Sequence, residues 1–409
     1  MLQKKLTRFL LFFASLFILS VPFPHPWIPD IASYIHPFFE WLVKWSGRHI
    51  FHIRHAYTSK LISDSTGLYL HLFNLVVFSI LITILWAIVE KQKRDHQKLF
   101  YWFRIFITYY LALQLLDYGF NKLFKWQFYI PEPNTLFTTM GQTPRDLMYW
   151  SSMGVSRPYT VFVGITELLA ALLLLFRRTR LAGALFAFVV LCNVVAVNFS
   201  YDISVKVYSC FLLLLSCIIM AQDGGRLFTF FIGGKNIPEK SEVAVFNSTR
   251  SKQLQIVLKI FVIAVILLST LSVYFKGNNF NDDKAPRPAF HGAYDVLMFA
   301  RNDDTLPPLL TDSLRWRRVF VHRRGYFIVQ DMSDNMQDYE LLVDTINHNF
   351  IIEREEDGKQ FNLSYKKYHD STLTLNGEIN KDSVWIKLKP IDLKQLPALQ
   401  HEFNWAIDN

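Results

Sequence analysis

Apolar runs long enough to cross about 30 Å of hydrocarbon, which takes about 20 helical residues, recur along this chain from residue 9 to residue 275 and then stop. That pattern fixes the class: a polytopic helical bundle followed by a water-soluble domain. Of the 409 residues, 51% are hydrophobic and 19% charged, a composition a large soluble enzyme shares, so the distribution rather than the average decides. Charge divides at the same place. Residues 1–275 carry 26 Lys+Arg against 13 Asp+Glu, and residues 276–409 carry 17 against 21, so the net +9 is +13 followed by −4. Basic residues gathered at the ends of apolar spans fit topology and lipid headgroups, not nucleic acid.

The run Phe9 to Phe23 follows Lys4, Lys5 and Arg8 without a small-residue cleavage site, only Val21-Pro22-Phe23-Pro24, and is expected to be an uncleaved anchor. Further spans are expected at about 68–89, 99–120, 160–176, 181–200, 205–221 and 256–275, seven in all. Lys+Arg number 15 in the N-terminus and alternate loops (91–98, 177–180 and 226–255) and 9 on the opposite side. This bias places the N-terminus in the cytoplasm and, with an odd number of spans, residues 276–409 outside. The expected organisation is residues 1–98 as anchor, interfacial loop and second span, 99–231 as a four-helix core, 232–255 as a cytoplasmic linker, 256–275 as the last span, and 276–409 as a periplasmic β-rich domain.

Between the first two spans lie His25, His36, His49, His52 and His55 among many aromatic residues. Without cysteine or patterned carboxylates they predict an interfacial helix, with Phe38, Phe39, Trp41 and Trp45 at headgroup level, not a metal site. Cys192, Cys210 and Cys217 fall inside apolar spans without a CxxC pair and read as small hydrophobes.

After residue 276 the period changes from helix to strand. Phe361, Leu363 and Tyr365 alternate with polar residues, as do Val384, Ile386 and Leu388. Asp357-Gly358 and Asn376-Gly377 read as hairpin turns, and seven or eight short strands predict a small antiparallel barrel or sandwich. Arg317-Arg318 and Arg323-Arg324 read as charges guarding a strand edge.

The candidate site is polar and lies inside the spans. On the third span Tyr110, Gln114, Asp117 and Asn121 share one helical face, and Lys122 follows them. At 1.5 Å per residue, Gln114, Glu167 and Asn193 each lie about 10 Å below the outer ends of their spans, so they are expected to face one another in a common layer. Asn198, Tyr201, Asp202 and Lys206 would close that layer from above. Such a layer can hold the bundle together by hydrogen bonds, enclose a small amphiphile such as a quinone, or pass a proton through Glu167.

Several words in this region resemble the DoxX family of membrane proteins in its long form, which carries a C-terminal extracytoplasmic domain. They are Tyr118-Gly119-Phe120-Asn121-Lys122-Leu123-Phe124 with Gln127-Phe128, Met153-Gly154-Val155-Ser156, Glu167 ahead of Arg177-Arg178-Thr179, and Asn193-Val194-Val195. Asn198-Phe199-Ser200-Tyr201-Asp202, Val205-Lys206 and Asp223 with Arg226-Leu227 complete the set. The resemblance covers residues 99–231, about a third of the chain. It implies a four-helix core in a subunit of a quinone-linked redox or envelope-stress complex. Thr143-Pro144-Arg145 and Ser204 depart from the family pattern at the outer surface. The chain encodes no flavin, haem or iron–sulfur motif, so redox chemistry would need a bound quinone or a partner protein. A second reading is a scaffold that recruits an envelope protein through its β domain. The expected partners are the lipid bilayer and a membrane or envelope protein.

Overall fold

In the computed structural model, which describes residues 2–21, 25–61, 63–90, 96–221, 223–233, 249–312, 314–400 and 405, apolar periodicity becomes helix up to residue 276 and strand thereafter. The helices are α1 (Leu2–Ser20), α2 (Ile31–His49), α3 (Thr66–Val89), α4 (Gln97–Leu123), α5 (Pro133–Leu136), α6 (Arg145–Val155), α7 (Arg157–Leu175), α8 (Arg180–Ser200), α9 (Lys206–Ala221), α10 (Gly224–Phe231) and α11 (Thr249–Lys276). Among the described residues, five segments are long and apolar enough to cross a membrane: α3, α4, α7, α8 and Gln253–Lys276 of α11. The apolar α9 is shorter, at 16 residues. Pro22-Phe23-Pro24, the basic stop at Lys91, Lys93 and Arg94, and residues 234–248 of the expected linker lie outside the described residues.

Two compact units make up the chain: Met1–Gln127 with Pro158–Asn281, and Phe128–Arg157 with Asp282–Asn409. In the first unit α1 packs on α2 and α3, α9 packs on α4 and α8, and α11 packs on α4. Its core includes Phe17, Leu75, Ile107, Leu111, Ala171, Leu174, Ala187 and Leu215. Glycine permits a close helix approach. A Cβ on Gly119 would stand 2.7 Å from Leu168 Cγ, and one on Gly164 would stand 2.9 Å from the Gly119 carbonyl, so α4 and α7 cross backbone to backbone as small residues allow. α2 buries Phe39 and Val43 and exposes Tyr34, Phe38, Trp41 and Trp45 along its other face. Phe39 therefore belongs to the core and not to the expected aromatic belt.

The second unit holds a closed antiparallel barrel. Its strands are β1 (Gly292–Arg301), β2 (Asp304–Thr305), β3 (Trp316–Val321), β4 (Tyr326–Asp331), β5 (Met336–Asp344), β6 (Asn349–Glu353), β7 (Gln360–Lys367), β8 (Leu373–Ile379) and β9 (Asp382–Ile391). Neighbours pair in sequence from β3 to β9, and β1 pairs with both β3 and β9, which closes the ring and leaves the two-residue β2 as an appendage on β1. Phe361 and Leu363 point inward as their alternation predicts, together with Val384, Ile386 and Leu388.

Two sequence expectations are corrected here. Asn376-Gly377 is not a turn but the middle of β8, where Asn376 pairs with Ser364 and Trp385. Glycine is needed there because a Cβ on Gly377 would come within 2.3 Å of the Asn362 carbonyl. The chain turns instead at Asn380-Lys381, both at positive φ (52° and 75°), the conformation of a tight type I′ hairpin. Nor does the double-arginine strand β3 form an edge, since it pairs on both sides; Arg317 instead binds Asp334 at 2.5 Å and Arg318 binds Asp295 at 3.1 Å.

Residues 128–157, a loop in the sequence reading, form α5 and α6 and run as a strap against the barrel within this second unit. Phe137 stacks on Phe320 at 5.6 Å over an outward-facing cluster of Ala293, Phe320 and Ile328, which explains why β3 and β4 are buried on both faces. The strap is fastened by Glu132, only 4% exposed. Its carboxylate accepts from His291 Nε2 at 3.1 Å, from the Arg323 backbone N–H at 3.1 Å and from the Arg323 guanidinium. Arg323 also reaches Asp282, which Arg287 holds in turn.

Candidate functional site: a buried lysine–glutamate pair

One turn beyond the glycine crossing, α4 presents Lys122 and α7 presents Glu167. The Cα–Cβ bonds of a helix lean toward its N-terminus, so the long Lys122 side chain runs back along α4. Its Nζ donates to both carboxylate oxygens of Glu167, at 2.9 and 2.8 Å. Lys122 is 5% and Glu167 2% exposed, and the ammonium also lies 5.3 Å from the centroid of the Tyr118 ring. A fully desolvated charge pair whose attraction must offset two desolvation costs is weak evidence for stability alone.

Around this pair the other α4 candidates separate into three settings. Asn121 donates from Nδ2 to the Asp117 carbonyl at 2.9 Å, one turn back on the same helix, and both are half-buried. Gln114, fully buried, donates to His25 Nε2 at 3.5 Å while its Oε1 has no hydrogen-bond partner among the described residues. Tyr110 and Tyr208 share a hydroxyl–hydroxyl bond of 2.9 Å between α4 and α9, with Phe17 of α1 stacked beside Tyr208.

At the turn between α8 and α9, Asn198 is buried with its Nδ2 lacking an acceptor among the described residues. Tyr201 and Asp202 are exposed, and Asp202 binds Lys206 at 2.7 Å. The N-terminus of α9 is capped from a distant loop: Asp64 accepts from the backbone N–H groups of Lys206 (2.8 Å) and Val207 (3.0 Å) and lies 3.7 Å from Lys206 Nζ. An anion at a helix start satisfies orphan donors and complements the helix dipole.

Asn193 is the exception. α8 packs through Gly183, Ala184, Ala187, Leu191 and Asn198, and Asn193 is turned away from that stripe and exposed. Gln114, Glu167 and Asn193 therefore do not form the single layer their spacing predicts: Gln114 turns to His25, Glu167 to Lys122, and Asn193 outward. His25, Asp64 and Tyr208 are the participants that the sequence reading missed. Each joins the site from a segment outside the DoxX-like words, and Asp64 carries no local signal for its role, since Ser65 caps α3 while Asp64 caps the distant α9.

The three thiols are free, with Cys210 exposed. Among the described residues no three His, Cys, Asp or Glu side chains converge as a metal site.

No family model and no solved structure matches the chain. An uncharacterized protein of Bacillus subtilis (strain 168), YwoB, is 34% identical over 82 residues, which are 20% of this chain and 53% of that protein. The chain thus spans about half the length of this curated relative.

Proposed function

We propose that the chain is an integral protein of a bacterial inner membrane, with seven spans, a cytoplasmic N-terminus and a periplasmic barrel. In this reading it acts as a DoxX-like subunit of a quinone-linked redox or envelope-stress complex. The observation that carries the proposal is the Lys122–Glu167 pair: two oppositely charged groups, both desolvated, on helices long enough to span hydrocarbon. Ionisable groups in such a place most often mark a ligand or proton pathway.

Two buried amide atoms without partners among the described residues support a quinone ligand. Buried Asn198 Nδ2 is a donor of the kind a quinone carbonyl needs, and buried Gln114 Oε1 is an acceptor of the kind a quinol hydroxyl needs. A bound quinone would supply two-electron redox chemistry. The chain's own part is to orient the headgroup through these amides, exclude water, and hold a proton on Glu167 Oε1 or Oε2, with Lys122 compensating the charge.

The test is thermal unfolding of the full-length protein in nanodiscs with and without menaquinone or ubiquinone. The reading expects quinone to raise the midpoint in the unmodified protein and to lose that effect in Gln114→Leu and Asn198→Leu. An unshifted midpoint with either quinone overturns it.

A further inference from the structure

Within the second unit, the strap and the barrel line an open cleft of about 800 Å³, in the size range of clefts that hold compact ligands. The strap side contributes the amides and hydroxyl of Asn134, Thr138 and Gln142; the barrel side contributes Asp338, Glu355 and Glu356. None of these three carboxylates makes an ion pair among the described residues, whereas Asp334 nearby is held by Arg317 and Arg354 is engaged by Asp357 at 3.6 Å. Two buried polar atoms on cleft residues, Asn134 Oδ1 and Arg354 Nε, have no hydrogen-bond partner among the described residues.

The pairing of the strands beneath adds a second, separate observation. Glu340 on β5 stands directly opposite Glu353 on β6, and Asp338 shares the outward face of Glu340 two residues before it. Like charges directly opposed across strands are destabilising, so negative charge accumulates here at a cost and continues into the cleft. A metal ion does not explain it, because the carboxylates are spread out and do not converge. What fits is a ligand with several separated cations and a backbone able to bond amides.

We propose that this cleft docks an extended, lysine-rich segment of a partner protein, its ammonium groups reaching Asp338, Glu355 and Glu356 and its peptide groups meeting Asn134 and Gln142. This inference stands independently of the quinone reading.

The experiment is fluorescence anisotropy with the full-length protein in detergent and a short labelled peptide of alternating lysine and serine. The peptide should bind saturably and weaken as salt rises. The triple change Asp338→Asn, Glu355→Gln, Glu356→Gln should weaken it about tenfold, since each exposed pair is modest on its own. Asn134→Leu should lower affinity and leave the salt dependence unchanged, which separates the cleft from a general acidic surface. Unfolding midpoints matching the unmodified protein establish that the variants are folded. Absence of binding, equal binding by the triple variant, or equally tight binding of the glutamate-for-lysine peptide overturns the proposal. Spermine binding as tightly as the peptide overturns the peptide assignment in favour of a small polycation.

Discussion

Two buried glutamates, one in each unit, are neutralised in opposite ways. Glu167 of the helical unit has, among the described residues, a single cation, Lys122, bonded to both of its oxygens. Glu132 of the barrel unit is gripped by Arg323 through both backbone and guanidinium and by His291, with Arg323 shared by Asp282. The difference follows from the secondary structure. Along α4 and α7 the backbone N–H groups are already spent within the helices, so only a side chain from the facing helix can reach Glu167. The loops that carry His291 and Arg323 still have a free backbone donor to offer. Dependence on one partner makes the first site all-or-none, and a shared network makes the second graded.

The largest expected effect comes from isolating Glu167. Lys122→Met leaves a buried carboxylate without its cation and should cost about 3–5 kcal/mol of unfolding free energy in nanodiscs, a large share of an ordinary total stability of about 5–15 kcal/mol. An effect below about 1 kcal/mol would remove the all-or-none half of the contrast.

Glu132→Gln should cost less, about 1.5–3 kcal/mol, because the amide keeps one acceptor for His291 and Arg323. Titration sharpens the point. Burial would raise the Glu132 carboxyl, but the His291 hydrogen bond, the Arg323 backbone N–H and the Arg323 charge outweigh it and hold it at about 2, below its ordinary 4.5. The stability it contributes is therefore full above pH 4.5 and is lost as the pH falls toward 2. Burial lowers His322 from its ordinary 6.5, opposed by Glu132 and helped by Arg323, Arg324 and His291. The unfolded chain takes up that proton first, so barrel stability should begin to fall below pH 6.5. Calorimetry from pH 7 to pH 3 should show both limbs in the unmodified protein and only the upper one in Glu132→Gln; identical profiles would contradict the network.

Gly164→Ala places a methyl 2.9 Å from the Gly119 carbonyl and should cost about 1–3 kcal/mol by forcing α4 and α7 apart. It should also weaken the Lys122–Glu167 bond, read as a smaller penalty when Lys122→Met is added to it. The smallest effect belongs to Asn193→Leu, expected within about 0.5 kcal/mol by thermal unfolding because the side chain is exposed. A loss above 2 kcal/mol would return Asn193 to the bundle.

Much of the architecture was legible from period alone: the long apolar helices fall on the expected runs, and Phe361, Leu363, Val384, Ile386 and Leu388 line the barrel because alternation carries that information directly. Contacts distant in sequence were not legible. Lys122 and Glu167 both stood among the candidates, but their pairing depends on the Gly119–Gly164 crossing, which depth arithmetic along separate helices does not contain. Depth without azimuth also misled at Asn193, whose height says nothing of which face α8 turns inward. Gly377 shows the same gap in the barrel, where the local Asn-Gly signal for a turn lost to the need for a close strand contact at Asn362. The strap escaped notice because residues 128–157 have little periodicity until Phe137 and Glu132 meet the barrel.

The central claim, that Lys122 and Glu167 act as one buried charge pair, is tested most directly by a double-mutant cycle of Lys122→Met and Glu167→Gln on the unfolding free energy of the full-length protein in nanodiscs. The account predicts a coupling of about 2–3 kcal/mol, with the double variant more stable than Lys122→Met alone. Single-variant costs that add within about 0.5 kcal/mol would contradict it.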